Sequence, residues 1–254
     1  MPVIDVEVVP VLKRILTKIT GNEAFYRSPT DMGVNRAGFA ITDDVAAREA
    51  AKQEIVRRYF RYQCEYRMGF ASKETVQRVE LFMRDFNLNP ESRPVVEPAR
   101  QAALDAQQHD KGNEGIYCGA AIQLKDGTII TGNNSTRMHA ASSLVIHAIK
   151  HLAEIPEKIK LLPSSITDSV AKLKMEIMQE KALSLDVEET LIALSISATT
   201  NSAAQVALEQ LTELQGCEVH ITHMPTPGDE AGLRRLGVNL TSDPNFATNN
   251  LFIP

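Results

Sequence analysis

The stretch "IYCGAAIQLKDGTIITG", residues 116–132, carries the clearest indication of the fold. Two apolar runs flank Asp126 and Gly127, and an Asp-Gly pair between apolar runs is typical of a tight β-hairpin turn. The segment that follows, "STRMHAASSLVIHAIKHLAEIP" at 135–156, repeats its apolar residues three and four positions apart, which is helical spacing. The sequence therefore predicts a hairpin over residues 116–132 and then a helix.

Beyond this helix, helical and extended patterns continue to alternate. Helical patterns lie near 165–181, 186–199 and 202–215, and strand patterns near 217–223 and 238–242. The middle helix opens with Asp186 and, three positions later, Glu189, which is the arrangement of a capping box. The apolar segment "KIKLL" at 158–162 is a candidate short strand. We therefore predict an α/β subdomain over residues 94–254 with a helical insert.

The first third of the chain has helical patterns instead. One lies near 43–68 after a polar loop at 27–44, and another lies near 72–86. Two prolines in "NLNPESRP" then interrupt the helical pattern, as prolines do. We therefore predict a mainly helical subdomain over residues 1–93. Together the two parts predict an α/β protein.

Composition restricts the partners and the compartment. The 254 residues carry a net charge of −5, which disfavours non-specific binding to nucleic acid or to an acidic membrane. The three cysteines are far apart, and the first residues lack the basic region of a signal peptide. We therefore predict a cytoplasmic protein with no disulfide framework, no membrane partner and no nucleic-acid partner.

A basic and aromatic segment, "RRYFRYQCEYR" at 57–67, resembles a binding strip for single-stranded nucleic acid. On a helix, however, its three tyrosines fall near one face, while Arg57 and Arg61 fall on another. This predicts a packed tyrosine stripe beside a solvated basic one. A subunit contact is the alternative, and we predict a homo-oligomer.

The polar loop at 27–44 is the first candidate ligand site. Its side chains supply donors and acceptors, and its glycine allows close backbone approach; the candidates are Ser28, Thr30, Asp31, Gly33, Asn35 and Arg36. The forked guanidinium of Arg36 suits a phosphate or a carboxylate, so we predict it to be the main charged contact. The alternative is a junction between helices, in which Arg36 pairs with Asp31.

The histidines do not form a recognisable metal motif. His147 and His151 are four apart and can share a helix face, but Ala148 follows His147 where a zinc-protease helix has glutamate. His220 and His223 are three apart and point to opposite faces of a regular strand. We therefore predict no metal site, although His223 lies at a strand end, where ligand loops often begin.

Long motifs in the chain resemble one bacterial family. The segment "SPTDMGVNRAGFAITDDVAAREAAKQEIVRRYF" at 28–60 is similar to domain-of-unknown-function family 1846, and so are "ITGNNS" (130–135), "LIALSISAT" (191–199) and "LRRLGVNLTSDP" (233–244). The resemblance covers almost the whole chain. It implies that this chain corresponds to the C-terminal half of a protein about twice as long.

The resemblance also bears on function. Family members have a phosphate-loop-like segment in their other half, whereas this chain has no G-x-x-x-x-G-K-[ST] sequence. We therefore expect no cofactor in this chain alone, and a nucleotide in the full-length protein. The predicted function is binding of a nucleotide or phosphorylated metabolite together with the missing N-terminal half.

The order of elements in the second part is also similar to the cytidine-deaminase fold. That fold places H-A-E at the start of the helix after the hairpin and P-C-x-x-C at the start of a later helix. The matching positions are His139-Ala140-Ala141 and Pro225 to Asp229, so only the histidine remains. The resemblance implies a cleft without zinc chemistry, lined by Asn133, Asn134, Ser135, His139, His223 and Thr226. The alternative function is therefore a non-catalytic binding or assembly module on this scaffold.

Overall fold

The computed structural model describes residues 15, 17–21, 44–179 and 183–247. The chain divides into two compact units, Met1–Lys52 and Gln53–Pro254. In the first unit, residues 17–20 are helical and Gly21 follows them with φ +68°, a conformation that glycine adopts without strain. The boundary near residue 93, which was expected from the two prolines, remains a prediction.

Except at 158–162, the helices and strands follow one another in the order that the sequence patterns predict. The elements are α1 (Asp44–Arg67), α2 (Lys73–Asp85), α3 (Val96–Gln108), β1 (Gly119–Gln123), β2 (Ile129–Asn133), α4 (Ala140–Leu152), α5 (Ser164–Glu176), α6 (Val187–Ala198), α7 (Ser202–Glu209), β3 (Glu218–Ile221), α8 (Pro227–Arg235) and β4 (Asn239–Ser242). Short 3₁₀ turns occupy Pro90–Ser92 and Gln210–Leu214. The predicted mixed α/β class is confirmed.

The second unit contains a four-stranded sheet in the order β2-β1-β3-β4. Strand β1 is antiparallel to β2 and to β3, whereas β3 and β4 are parallel and are connected through α8. In the hairpin, Gly127 has φ +89°, and the carboxylate of Asp126 accepts a hydrogen bond from the backbone N–H of Thr128 at 2.9 Å. The turn chemistry of the sequence therefore sets the β1–β2 pairing.

Two glycines allow helices to approach both faces of this sheet. A Cβ added to Gly119 would lie 2.1 Å from the carbonyl oxygen of Ala99 in α3, and one added to Gly132 would lie 2.5 Å from the nitrogen of Leu144 in α4. Gly132 pairs with Ala120, the neighbour of Gly119, so the two close contacts are on opposite faces. Helices α3 and α4 thus cover the two sides of the hairpin.

The main hydrophobic core lies on the α4 face of the sheet. Fully buried members include Ile122 from β1, Leu144 from α4, Leu194 from α6 and Val219 from β3. Burying each such side chain contributes about 1.5–3 kcal/mol. The inserted helices α5–α7 complete this core, while a smaller cluster of Val95, Ala99 and Ala121 lies on the α3 face.

Helix α6 begins with the predicted capping box. The carboxylate of Asp186 accepts from the N–H of Glu189 at 2.9 Å, and the Glu189 carboxylate accepts from the N–H of Asp186 at 3.1 Å. The strand considered for 158–162 does not form. Instead, the carbonyl of Leu161 accepts from the hydroxyl of Ser197 at 2.6 Å, so a side chain of α6 satisfies this backbone group.

The buried face of α1 differs from the predicted tyrosine stripe. Val56, Phe60 and Cys64 are buried at a spacing of four residues, whereas Tyr66 is 46% exposed. The Phe60 ring packs against the buried ring of His220 in β3, with centroids 4.7 Å apart. The prediction was wrong because Val56, Phe60 and Cys64, not the tyrosines, form the buried face of α1.

A buried arginine holds the segment before α3 against the sheet. The guanidinium of Arg93 is fully buried and donates to the hydroxyl of Thr241 at 2.9 Å and to the carbonyl of Val219 at 3.0 Å. It also donates to the Asn239 carbonyl and pairs with Glu218. Burial lowers the pKa of Arg93, and the nearby Glu218 carboxylate partly offsets that effect. Within the part of the chain that the structure covers, no helix is both long and apolar enough to cross a membrane.

Candidate functional site

Helices α4, α6 and α8 bring their N-terminal ends together around one carboxylate. Asp229, in the first turn of α8, is 5% exposed. Its Oδ1 accepts from the backbone N–H of Val187 at 3.0 Å, and its Oδ2 accepts from the hydroxyl of Thr226 at 2.8 Å. Nδ1 of His139 lies 2.8 Å from the same Oδ2. Because the carboxylate oxygen accepts, Nδ1 carries the proton, and Nε2 is the nitrogen left to bind or release a proton.

Electrostatics in this network favour a charged His139. Burial by itself lowers the pKa of His139, but the hydrogen bond and the negative charge of Asp229 outweigh it, so that the pKa is raised. Burial also raises the pKa of Asp186, which lies at the start of α6. It raises the pKa of the nearby Cys118 thiol to about 12, and the charge of Asp229 adds to that rise. Cys118 is therefore a neutral thiol and not a nucleophile at neutral pH.

The other candidates in the predicted cleft support the backbone around it. The side chain of Asn134 accepts from the N–H of Cys118 at 2.8 Å and donates to the carbonyl of Ile116 at 2.9 Å. Ser135 accepts from the N–H groups of Arg137 and Met138, both at 3.2 Å. These bonds shape the turn between β2 and α4 and place His139 at the helix start.

Asn133 and His223 also lie at this edge of the sheet but do not join the network. The amide of Asn133 donates to the carbonyl of Asn134 at 3.0 Å. A ring nitrogen of His223 lies 3.0 Å from the hydroxyl of Thr222, and burial lowers the pKa of His223. Of the predicted cleft residues, the structure thus brings His139 and Thr226 together, through Asp229. Asp229 stands at a cysteine position of the deaminase motif, so the motif predicts the loss of a thiolate there but not the role of Asp229 as a shared acceptor.

The polar-loop candidates lie outside the described residues. They are Ser28, Thr30, Asp31, Gly33, Asn35 and Arg36. Their role as a ligand site remains a prediction.

No group of three or more His, Cys, Asp or Glu side chains that could hold a metal ion occurs among the residues with described structure. In α4, Nδ1 of His147 donates to the carbonyl of Thr131 at 2.9 Å, while His151 is exposed one turn later. Both histidines line a shallow groove of about 560 Å³ beside β2. Two nitrogen ligands alone do not make a closed zinc site.

A second groove, of about 450 Å³, lies between α1, α8 and β4 and was missed by the sequence reasoning. Basic side chains from two helices line it, namely Arg57, Arg58 and Arg61 of α1 and Arg234 of α8. Acidic side chains are present too, namely Glu54, Glu65 and Glu230. The signal in the sequence was the basic segment at 57–67, which was interpreted as a solvated stripe.

Salt bridges already neutralise part of the positive charge in this groove. Glu54 accepts from Arg57 at 3.0 Å and from Arg58 at 3.1 Å. Burial by itself raises the pKa of Glu54, but these two arginines outweigh it and lower the pKa. Arg234 pairs with Glu230 at 2.6 Å. The net charge of the groove is therefore about +1 when all seven groups are ionised.

Two arginines that line the groove, Arg58 and Arg61, have N–H donors that form no hydrogen bond or ion pair with described residues. Nη1 of Arg58 is buried and has no hydrogen-bond partner among the described residues, and the Arg58 side chain is 13% exposed. The guanidinium of Arg61 is exposed and lies 5.3 Å from the ring centre of Tyr62. A buried unpaired donor on a charged group is costly. Because Nη1 has almost no accessible surface, an anion reaches Arg58 only through the exposed part of its side chain.

Two family models match the chain, both of a domain of unknown function, DUF1846. The N-terminal model matches residues 3–87 and the C-terminal model matches residues 91–252. A UPF0371 protein of Clostridium botulinum (strain Alaska E43 / Type E3) is 48% identical over 98% of this chain and 49% of its own length. A UPF0371 protein of Clostridium tetani (strain Massachusetts / E88) is 42% identical over the same shares. The chain thus spans about half the length of the curated relatives it matches.

These matches refine the expected relation to the family. The expectation that the chain is simply a C-terminal half is not borne out, because the N-terminal model also matches residues 3–87. The α1 wall of the second groove comes from that N-terminal match. The α8 and β4 walls come from the C-terminal match. The groove is therefore formed where the two matched segments meet.

Proposed function

Because the chain belongs to the DUF1846 family, whose curated relatives are about twice as long, we propose that it binds a nucleotide or another phosphorylated metabolite together with the rest of such a protein. The site within this chain is the groove between α1, α8 and β4. A cytoplasmic location and a homo-oligomeric state remain predictions.

The observation that carries the proposal is the gathering of four arginines in one groove. Guanidinium groups match phosphate oxygens in two-point geometry, and they hold charge at any physiological pH. Within the described part of the chain, Arg58 has a buried donor without a partner, and Arg61 forms no ion pair. A phosphate in the groove would give Arg61 an ion partner and would be attracted by the positive charge of Arg58.

The position of the groove also supports a ligand. Small-molecule sites occur preferentially where two structural segments meet, and their volumes are about 300–1,000 Å³. This groove lies between the segments matched by the two family models and has a volume of about 450 Å³. Its walls are held together by Arg57, which donates to Glu218 at 3.2 Å, and by Cys64, whose thiol donates to the Ser242 carbonyl at 3.4 Å.

The test is a titration of the purified chain with inorganic phosphate and with pyrophosphate at constant ionic strength. We expect both anions to raise the melting temperature relative to chloride, and Arg58→Gln or Arg61→Gln to weaken binding by roughly tenfold. Arg78→Gln is the matched control, because Arg78 is exposed on α2 and lies outside the groove. Equal responses in all variants, or no response to either anion, would overturn the proposal.

A second candidate rests on the network around Asp229. We propose that the second unit is a deaminase-like scaffold that has lost its zinc site and serves as a binding or assembly module. The supporting observation is that His139, Thr226 and Asp229 meet at two helix starts beside the sheet. These are the positions that the H-A-E and P-C-x-x-C motifs would occupy, with the carboxylate of Asp229 in place of a thiolate.

Restoring the missing thiolates tests this scaffold. In a Thr226→Cys/Asp229→Cys double variant, His139 would have two cysteine partners, and we expect one zinc ion per chain by elemental analysis. Thr226→Cys alone serves as the control and should hold none. A double variant that keeps its native circular dichroism spectrum but takes up no zinc would refute the deaminase-like geometry.

A further inference from the structure

Helix α1 and strand β4 line the groove along its length, so its two ends can be distinguished by residue position. Arg57 contacts Glu218, whose partner across the sheet is Asn239 at the start of β4. Cys64, two turns further along α1, contacts Ser242 at the end of β4. Helix α1 and strand β4 therefore run side by side in the same direction. The position of a residue along α1 thus indicates where along the groove its side chain lies.

One end of the groove is basic, and Glu54, the acidic side chain of α1 that lines this end, pairs with two of its arginines. Arg57, Arg58 and Arg61 come from the part of α1 beside the start of β4. Helix α8 begins after the end of β3, runs back along the sheet and reaches Arg234 shortly before β4 begins. Because β3 and β4 are parallel, Arg234 lies at the same end as the α1 arginines.

The other end is apolar. Met68 lies just beyond α1, three residues after Glu65, and lines the groove with Met224 and Pro225, which follow β3. Thioether sulfurs adapt to irregular ligands and make favourable contacts with aromatic rings. With about 1.5 Å of rise per helical residue, the ten positions from Arg58 to Met68 separate the two ends by about 15 Å.

The charge count limits the anion that fits. Four arginines oppose three glutamates in the groove, and Glu65 and Glu230 lie between the basic end and the apolar end. One phosphate carries at most two negative charges and can be held by Arg58 and Arg61. A triphosphate would place further negative charge close to these glutamates, where like charges repel.

We propose that the groove binds a phosphate monoester whose other end is apolar or aromatic, with the phosphate at Arg58 and Arg61 and the body against Met68 and Met224. This inference rests on the proposed anion-binding function and adds the class of ligand. Neither inorganic phosphate nor a nucleoside triphosphate has both properties.

Calorimetry with the purified chain can test the proposal. The probes are inorganic phosphate, adenosine 5′-monophosphate, n-hexyl phosphate and adenosine 5′-triphosphate at one ionic strength. We expect at least one of the two monoesters to bind about tenfold or more tightly than inorganic phosphate, and the triphosphate to bind more weakly than the adenosine monoester. Whether the adenosine or the hexyl ester binds more tightly distinguishes an aromatic from an aliphatic body.

Variants separate the two ends of the groove. Met68→Gln should reduce monoester affinity to within about threefold of inorganic phosphate and leave phosphate affinity unchanged. Met175→Gln, at an exposed methionine of α5, is the matched control. Arg58→Gln should weaken the binding of every probe that carries a phosphate.

The outcomes distinguish this inference from the function on which it rests. If phosphate binds through Arg58 but neither monoester binds more tightly, the ligand class is wrong and the anion site stands. If the triphosphate binds more tightly than the monophosphate, the charge argument fails. If no phosphate probe binds, the anion site itself is wrong.

Discussion

Replacing Asp229 by asparagine tests the network at the starts of α4, α6 and α8. The carboxylate accepts from Val187, Thr226 and His139, and an amide can accept at only one of its two ends. If the amide oxygen keeps the Val187 bond, the amide nitrogen must donate to His139. Nδ1 of His139 then has to give up its proton. We therefore expect Asp229→Asn to move the proton of neutral His139 from Nδ1 to Nε2 and to lower the pKa of His139.

The expected loss of stability follows from the two bonds that change. Hydrogen bonds to charged groups contribute about 1.5–3 kcal/mol and neutral ones about 0.5–1.5 kcal/mol. Exchanging two charged bonds, from His139 and Thr226, for neutral ones should therefore reduce the free energy of unfolding by about 1–3 kcal/mol. For a chain of this size, that corresponds to a melting temperature lower by about 2–12 °C.

The loss should depend on pH in a defined direction. The folded-state pKa of His139 is raised above its value of 6.5 in an unfolded chain. Its contribution is therefore fully present below about pH 6.5 and is lost as the pH rises through the folded pKa. The difference in stability between the wild type and Asp229→Asn should thus be larger at acidic than at alkaline pH.

Urea unfolding across this pH range, together with ¹⁵N NMR of the imidazole nitrogens, measures both effects. Asp168→Asn is the control, because Asp168 and Arg137 form a pair at 3.5 Å in which both side chains are more than half exposed. The Asp168→Asn change should reduce the free energy of unfolding by less than about 1 kcal/mol. The reasoning is refuted if Asp229→Asn leaves the His139 pKa and the position of its proton unchanged, or if it costs no more than the control.

Three further predictions concern the fold and the metal content. Arg93→Met should cost about 3–5 kcal/mol, because it removes the hydrogen bonds of a buried guanidinium to Thr241 and Val219, while Glu218 keeps its pair with Arg57. Arg78→Met on the exposed face of α2 should stay within about 0.5 kcal/mol, and urea unfolding measures both changes. Gly119→Ala should cost roughly 1–3 kcal/mol or more, because its Cβ would lie 2.1 Å from the Ala99 carbonyl oxygen; an unchanged thermal melt would contradict the packing of α3. Elemental analysis of the purified wild-type chain should find no stoichiometric zinc, and one tightly bound zinc per chain would contradict this.

Features set by neighbouring residues could be predicted from the sequence. The capping box of Asp186 and Glu189 and the turn at Asp126 and Gly127 both involve bonds that span two or three positions. Such bonds depend little on the rest of the fold. Apart from the strand considered at 158–162, the order of helices and strands was therefore predictable, and so was the mixed α/β class.

Features that depend on distant segments were not predictable from local patterns. Arg93 stands between two prolines in an apparent break, yet it is fully buried and binds β3 and β4. The segment at 158–162 has strand-like side chains, but its Leu161 carbonyl is satisfied by Ser197 from α6. In each case the partner is more than 30 positions away, and periodicity carries no information about it.

The candidate sites show the same division. His139 and Thr226 were selected from short motifs, but Asp229, which joins them, receives donors from three separate elements. The arginine groove was missed because the partners of α1 lie beyond residue 217. The same local sequence pattern is compatible with a solvated basic stripe and with one wall of a groove, so the pattern alone does not distinguish them.

The burial of every cysteine gives this protein a built-in reporter of local opening. Cys64, Cys118 and Cys217 are all buried, and burial raises the pKa of each thiol. Because only the thiolate reacts readily, alkylating reagents should modify each cysteine at a rate set by exposure of its surroundings. Cys64 lines the arginine groove, Cys118 lies beside the Asp229 network, and Cys217 precedes β3. Mass spectrometry of one alkylation time course therefore follows three regions without any engineered label, and a molecule bound in the groove would slow modification of Cys64 selectively.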